Sequence, residues 1–237
     1  MSKYLKEQKA VVVFSGGQDS TTILGWSLKT FKEVKAVSFN YGQKHTVELE
    51  QAKKIAKKIG VEHHILDVSL LNQLAPNALT RTDIEVCSHK DVVEGEEPNT
   101  VVRGRNGLFA WITSIFASTH GAQNIVLGVC EADYSGYRDC RDTFIKSLQT
   151  AIDLGVEEGI KIHTPLMFLD KCETNKLAYD MGILETVVKD SHTCYNGDRS
   201  SLLGCNECPA CKLRNEGFRQ FQREYGVDMK KEYGIEL

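Results

Sequence analysis

The chain has 237 residues, with 29 lysines and arginines against 32 aspartates and glutamates, and a formal net charge of −3. Hydrophobic residues make up 41% and charged residues 26%, which excludes disordered and fibrous classes and suits one large domain, or one domain plus an appendage. No uncharged apolar run approaches the roughly 18 residues of a membrane span. The first ten residues carry charge but no apolar signal segment, and a pI near 6.2 lacks the basic surplus of a non-specific nucleic-acid binder. The expectation is a soluble, cytoplasmic protein with no membrane partner and no direct nucleic-acid partner.

The first element is Ala10-Val11-Val12-Val13-Phe14, a short β-rich run without alternation, as in a strand buried on both faces. Residues 21–29 then place Ile23, Leu24, Trp26 and Leu28 at helical spacing. Residues 34–39 read as a second strand and residues 45–59 as an amphipathic helix that Gly60 stops. Residues 61–68 read as a third strand, interrupted by His63 and His64. Residues 76–104 hold two prolines and a charged run with little periodicity, the character of a lid or binding loop. Helical pattern returns at 106–119, a buried strand at 124–128, a helix at 141–154, a short strand at 160–164 and a helix at 171–181. Strands alternating with helices predict an α/β fold with a doubly wound parallel sheet.

Such a sheet binds its ligand at the carboxyl ends of the strands, where Ser15-Gly16-Gly17-Gln18-Asp19-Ser20 stands. Two glycines let the backbone approach a bulky anion and turn N–H groups toward it. The helix behind adds unpaired donors and the positive end of its dipole. Ser15, Ser20, Thr21 and Thr22 offer hydroxyls, and Asp19 can hold a Mg²⁺ carried by phosphates. A plain strand-to-helix turn with Asp or Ser as N-cap would also accommodate the glycines. It is not a Walker A loop, since no G-x-x-x-x-G-K-[ST] occurs and no lysine lies inside it.

Of eight cysteines, Cys87, Cys130, Cys140 and Cys172 are scattered and read as small buried hydrophobes. His63, His64 and His192 have no ligand-like spacing and read as structural. Cys194, Cys205, Cys208 and Cys211 crowd together near the C-terminus, a pattern of metal binding in a reducing compartment. Four thiolates satisfy tetrahedral Zn²⁺, and C-x-x-C spacing lets one tight turn supply two of them. An iron–sulfur cluster also takes four cysteines. With no open coordination position, the metal is expected to be structural.

The string Phe14-Ser15-Gly16-Gly17-Gln18-Asp19-Ser20-Thr21-Thr22-Ile23-Leu24 resembles the PP-loop of the N-type ATP pyrophosphatases. Further segments are Asn40-Tyr41-Gly42-Gln43, Gly104-Arg105-Asn106, the run 133–141, Thr164-Pro165-Leu166-Met167, Leu169-Asp170-Lys171 and Cys194-Tyr195-Asn196-Gly197. With the cysteine cluster they make most of the chain resemble the 7-cyano-7-deazaguanine synthase family. The resemblance implies an adenine nucleotide α-hydrolase-like sheet over residues 1–185 and a zinc-binding region over 186–237. It implies a ligase of queuosine biosynthesis that uses ATP with Mg²⁺ and ammonium to convert 7-carboxy-7-deazaguanine to 7-cyano-7-deazaguanine (preQ0), through adenylated acid and amide.

Carried onto this sequence, residues 14–24 bind ATP, and Asp19, Arg105 and Lys171 are catalytic candidates. Asn106, Asp133, Ser135, Tyr137, Asp139 and Arg141 are candidates for the deazaguanine, since carboxylates accept from its N–H edge and tyrosine stacks. Cys194, Cys205, Cys208 and Cys211 are the zinc ligands. Three departures from the family pattern are Arg103 in place of proline, the ten-residue gap between Cys194 and Cys205, and Cys172 in place of alanine. A PP-loop tRNA-modifying enzyme, a variant stopping at the amide and a non-catalytic zinc module are the alternatives; a homodimer is compatible with the sequence.

Overall fold

Strand β1, Lys9–Val13, sets the layout by its alternation. Val11 and Val13 pack into one apolar layer, Ala10 and Val12 into another. In the computed structural model, residues 3–42, 47–74, 84, 99, 101–132 and 137–237 are described. Asp133, Ser135, Gln43, Cys87 and most of the expected loop at 76–104 lie outside them.

Among the described residues five strands run parallel: β1, β2 (Glu33–Asn40), β3 (Glu62–Asp67), β4 (Asn124–Val126) and β5 (Lys161–His163). Their order is β3-β2-β1-β4-β5, so the chain leaves β1 toward one edge and later returns on its other side. Val12 at the centre stands opposite Ala36 and Val126. Such a reversal opens a crevice beyond the carboxyl ends of β1 and β4.

Helices α1 (Gln18–Thr30) and α2 (Val47–Ile59) cover one face, burying Ile23, Leu24, Ala52 and Ile55 with Val12 and Phe14. The short α3 (Leu70–Leu74) contributes Leu71 to the other face. There α4 (Arg105–Thr119) and α5 (Asp142–Gly155) pack Phe109, Ala110, Ala117, Ile145 and Ile152 against Val11, Val37 and Ile125. A third core joins α6 (Lys171–Asp180), α7 (Leu184–Lys189), α8 (Pro209–Tyr225) and α9 (Met229–Tyr233) through Ala178, Val187, Phe218, Phe221 and Met229. Among the described residues no helix is long and apolar enough to cross a membrane.

The expected elements are present with shifted ends. Helix α1 begins at Gln18 rather than residue 21, because Gly17 is its N-cap and the polar first turn carries no apolar period. Strand pairing ends at Val126, two residues before the apolar run does. Helices α7, α8 and α9 had no counterpart in the sequence reading.

Candidate active-site cleft and metal centre

The loop after β1 starts where Phe14 N–H donates to Val37 O (2.8 Å). Gly16 then takes φ +81°, and a Cβ there would lie 2.7 Å from Ala52 N and 2.8 Å from Glu48 O. Glycine is what lets α2 rest on the loop. Gly17 is different: its backbone is extended (φ −80°, ψ 173°), and a Cβ would meet nothing closer than 3.4 Å. The fold does not require glycine there, but Gly17 borders the cleft, where a side chain would occupy space open to a ligand. Ser20 Oγ accepts from Ser15 N–H (3.2 Å) and donates to Gly17 O (3.1 Å). Gln18 N–H donates to Thr193 Oγ1 (3.3 Å), Gln18 Nε2 to Asn175 Oδ1 (2.8 Å), and His192 N–H to Gly16 O (2.9 Å). Of the expected nucleotide residues, Phe14, Ser15, Gly17, Gln18, Asp19 and Ser20 line the cleft. Thr21 and Thr22 turn their hydroxyls back onto Gly17 O and Gln18 O, and Ile23 and Leu24 belong to the core.

Lys171 arrives from the other strand end. Asp170 caps α6 by accepting from Glu173 N–H, and the Glu173 carboxylate accepts from Asp170 N–H, a reciprocal capping box. Lys171, the first helical residue, then reaches both Asp19 oxygens at 3.0 and 2.9 Å. The pair sits at the N-terminus of α1. Nearby, buried Arg214 donates to Val187 O and Val188 O (3.0 and 3.1 Å), at the carboxyl end of α7, where its charge is favoured. Burial draws its pKa down to about 10, still cationic at neutral pH.

The opposite end of the cleft is aromatic. Arg105 opens α4 with its guanidinium carbon 5.9 Å from the Tyr41 ring centre and 5.8 Å from that of Tyr137, within cation–π range. Burial opposes its charge, but Tyr41, Tyr137, Tyr195 and Glu48 raise its pKa above the ordinary value. Tyr41 is pushed up to about 12 by burial, and Tyr195 also rises for that reason. Asp139 spends both oxygens on Asn106, accepting from its backbone N–H (2.8 Å) and its Nδ2 (3.1 Å), which satisfies a free donor in the first turn of α4. Asn106 and Tyr137 line the cleft and Asp139 sits behind them; Arg141 is exposed as the N-cap of α5 and is not part of the lining. The cavity joining both ends holds about 340 Å³.

The four clustered cysteines place their sulfurs within 4.8 Å of one another. Four sulfurs around a tetrahedral ion with 2.3 Å bonds would be spaced about 3.8 Å apart. Backbone N–H groups of Glu207 and Cys208 point at Cys205 Sγ (3.5 and 3.3 Å), suitable donors for a thiolate. Hydrogen bonds from Cys208 and Cys211 hold the Cys194 thiol far below its usual range, while Cys208 and Cys211 are themselves pushed up. Four thiols this close share their protons, and the donor set fits a four-thiolate metal centre. The neighbouring residues Thr193 and Tyr195 reach the loop end and the aromatic end of the cleft.

Residues 9–222 match the family model described as queuosine biosynthesis protein QueC. The chain belongs to this family. It is 55% identical over 221 residues to a Clostridium acetobutylicum protein named 7-cyano-7-deazaguanine synthase, covering 93% of this chain and 98% of that one. A Bacillus subtilis protein of the same name is 54% identical over 217 residues, covering 92% and 96%. Among solved structures, a 4-thiouridine synthetase in complex with RNA and bound ATP shares the fold, with TM-score 0.51, 17% identity, and coverage of 96% of this chain and 53% of that one.

Within this QueC-family chain, sequence reasoning did not single out Glu48, Tyr41, Tyr195 or Arg214 as site residues. Tyr41 and Tyr195 stood inside quoted motifs, Asn40-Tyr41-Gly42-Gln43 and Cys194-Tyr195-Asn196-Gly197, and that was a usable signal. Glu48 reads in sequence as one more charge on an amphipathic helix. Its burial depends on α2 packing onto Gly16, which no local pattern announces.

Proposed function

We propose that the chain is a 7-cyano-7-deazaguanine synthase, a C–N bond-forming ligase that consumes ATP and ammonium to convert 7-carboxy-7-deazaguanine to the 7-cyano base. The observation that carries this is the match to curated synthases over nine-tenths of the chain. The reading is of a cytoplasmic enzyme with small-molecule partners. Residues 1–185 carry most of the chemistry, and residues 186–237 carry a structural Zn²⁺ on Cys194, Cys205, Cys208 and Cys211 and lend Tyr195 to the cleft.

A carboxylate is a poor electrophile for ammonia until one oxygen becomes part of a good leaving group. In this proposal the amides and hydroxyls of residues 15–20 hold the β- and γ-phosphates of ATP, with Asp19 available to the accompanying Mg²⁺. Lys171 and Arg105 stabilise charge at the α-phosphate, a preorganised electrostatic contribution that acts most strongly where water is excluded. The flat deazaguanine lies among Tyr41, Tyr137 and Tyr195, with Asn106 offered to its polar edge, a role the family resemblance also gives to Asp133 and Ser135. Asp139 positions Asn106. The substrate carboxylate attacks the α-phosphorus and pyrophosphate leaves. Ammonia then displaces AMP to give the amide. A second adenylation, on the amide oxygen, allows loss of AMP to give the nitrile.

The test is mass spectrometry of products from 7-carboxy-7-deazaguanine, ATP, Mg²⁺ and ammonium. The expected products are the nitrile, AMP and pyrophosphate. ADP with orthophosphate, or an amide that is never dehydrated, contradicts the reading.

A further inference from the structure

We propose that Glu48 is the catalytic base of this reaction, taking the N–H proton when ammonia displaces AMP and again when the adenylated amide collapses to the nitrile. The inference rests on the synthase reading above and adds the proton acceptor that reading lacks.

Glu48 stands in the first turn of α2, and its backbone carbonyl lies over Gly16 of the phosphate loop. Its side chain lines the same cleft as Arg105, Tyr41 and Tyr195. With phosphates at the loop and a flat base among the tyrosines, the acyl carbon lies between the two ends, inside the cleft that Glu48 lines. Among the described residues, Asp19 and Glu48 are the only carboxylates lining the cleft. Asp19 gives both oxygens to Lys171, whereas Glu48 has no hydrogen-bond or ion-pair partner at contact distance among the described residues. The other titratable groups of the lining are poorly suited. Tyr41 and Cys140 are pushed up to about 12, Cys130 donates its thiol to Leu169 O, Cys194 belongs to the sulfur cluster, and His192 has its Nε2 sealed inside the protein.

The groups that act electrostatically on Glu48 are Arg105 from α4, Tyr41 beyond β2 and Tyr195 beside the cysteine cluster, and Tyr137 in turn acts on Arg105, Tyr41 and Tyr195. Burial pushes the Glu48 carboxyl up to about 7, partly offset by Arg105. A base poised near the working pH combines ionised population with proton affinity.

The balance is simple. In the amide-forming half a C–N bond forms, the C–O bond to AMP breaks with its electron pair leaving on AMP, and one nitrogen proton passes to Glu48. In the nitrile-forming half the amide oxygen takes the adenylyl group, and the departing pyrophosphate carries away the first of the two amide protons. The second passes to Glu48 as the remaining C–O bond breaks, C≡N forms and AMP leaves. Glu48 returns its proton to water between steps.

The synthetic amide with ATP and no ammonium isolates the second half, free of the titration of ammonium itself. For the wild-type protein, kcat should rise with pH through an inflexion near 7. Glu48→Gln should lower kcat by about 10²–10⁴-fold, the usual worth of a general base, and abolish the inflexion. Its exchange of pyrophosphate into ATP with the acid as substrate should persist, since adenylation needs no such base. Glu48→Asp should recover part of the rate with a displaced inflexion, which a merely misfolded site would not do. The assignment is overturned if Glu48→Gln keeps wild-type kcat, changes only KM, or loses the exchange reaction as well. A wild-type protein that makes no nitrile overturns the synthase reading and this assignment together.

Discussion

The two ends of the cleft are built by opposite means. The loop end is backbone: six consecutive residues, two glycines and a helix N-terminus, tied down by Gln18 to Thr193 and Asn175. The aromatic end is side chains: Arg105, Tyr41, Tyr137, Tyr195 and Glu48, gathered from segments far apart in sequence. A contiguous stretch keeps its geometry through local hydrogen bonds. A gathered chamber keeps its geometry only while every contributing helix and loop stays seated. The first should tolerate damage elsewhere, and the second should be sensitive to the positioning of α4, α2 and the cysteine segment.

The largest effect should come from the element that touches both ends. Cys208→Ser removes a thiolate from the proposed zinc centre, and apparent structural zinc binding is worth about 10–16 kcal/mol. Metal content and soluble protein should fall together, and elemental analysis of the purified variant checks this. Full solubility without metal would show that the cluster holds neither end of the cleft.

Next come the glycines, which separate fold from function within the loop end. Gly16→Ala forces a side chain into the left-handed region and against α2 backbone, a strain of roughly 1–3 kcal/mol before the clash is counted. Its Tm should drop by many degrees. Gly17→Ala meets only ordinary contacts, so its Tm should stay near wild type while turnover collapses. Calorimetry beside an AMP assay distinguishes the two.

A smaller effect tests the aromatic end. Asp139→Ala frees two donors at the start of α4, at a cost of about 0.5–2 kcal/mol for a lost cap. Asn106, which is offered to the base's polar edge, sits on that turn, so KM for the deazaguanine should rise more than KM for ATP. Steady-state kinetics with each substrate varied in turn measures the difference.

The smallest is electrostatic. Glu48 folds with its carboxyl raised to about 7 from 4.5. Between those values the folded state holds a proton that the unfolded state has released, so the residue's unfavourable contribution grows as pH rises and is complete above 7. Glu48→Gln should therefore raise Tm slightly more at pH 8 than at pH 5.5. Paired melting curves at the two pH values report it.

The contrast between the two ends also explains what the sequence disclosed. Strand β1 was legible because a run of valines buried on both faces has no other reading, and the loop after it because its anion-binding devices are adjacent. The cysteine spacing was legible for the same reason. Helix α1 began three residues earlier than its periodicity, since Gln18, Asp19 and Ser20 face the cleft or its polar supports. Asp139 carried a charge that suggested substrate, and the fold commits both its oxygens to Asn106. Arg141, from the same cluster, is exposed at the start of α5. Glu48 left no trace, because its burial is a property of α2 docking on Gly16. The helices after residue 183 were silent because their core, with Phe218 and Phe221 packed on α6, is assembled across the region where the cysteines drew attention.

The central claim is that one cleft adenylates an oxygen on the same substrate carbon twice, first as an acid and then as an amide. Substrate labelled with ¹⁸O in both carboxylate oxygens tests it most directly, because each adenylation transfers one substrate oxygen to the α-phosphate that departs as AMP. The account predicts two singly labelled AMP molecules for each nitrile formed, with no label in pyrophosphate. Label found in orthophosphate, or only one labelled AMP for each nitrile, would contradict it.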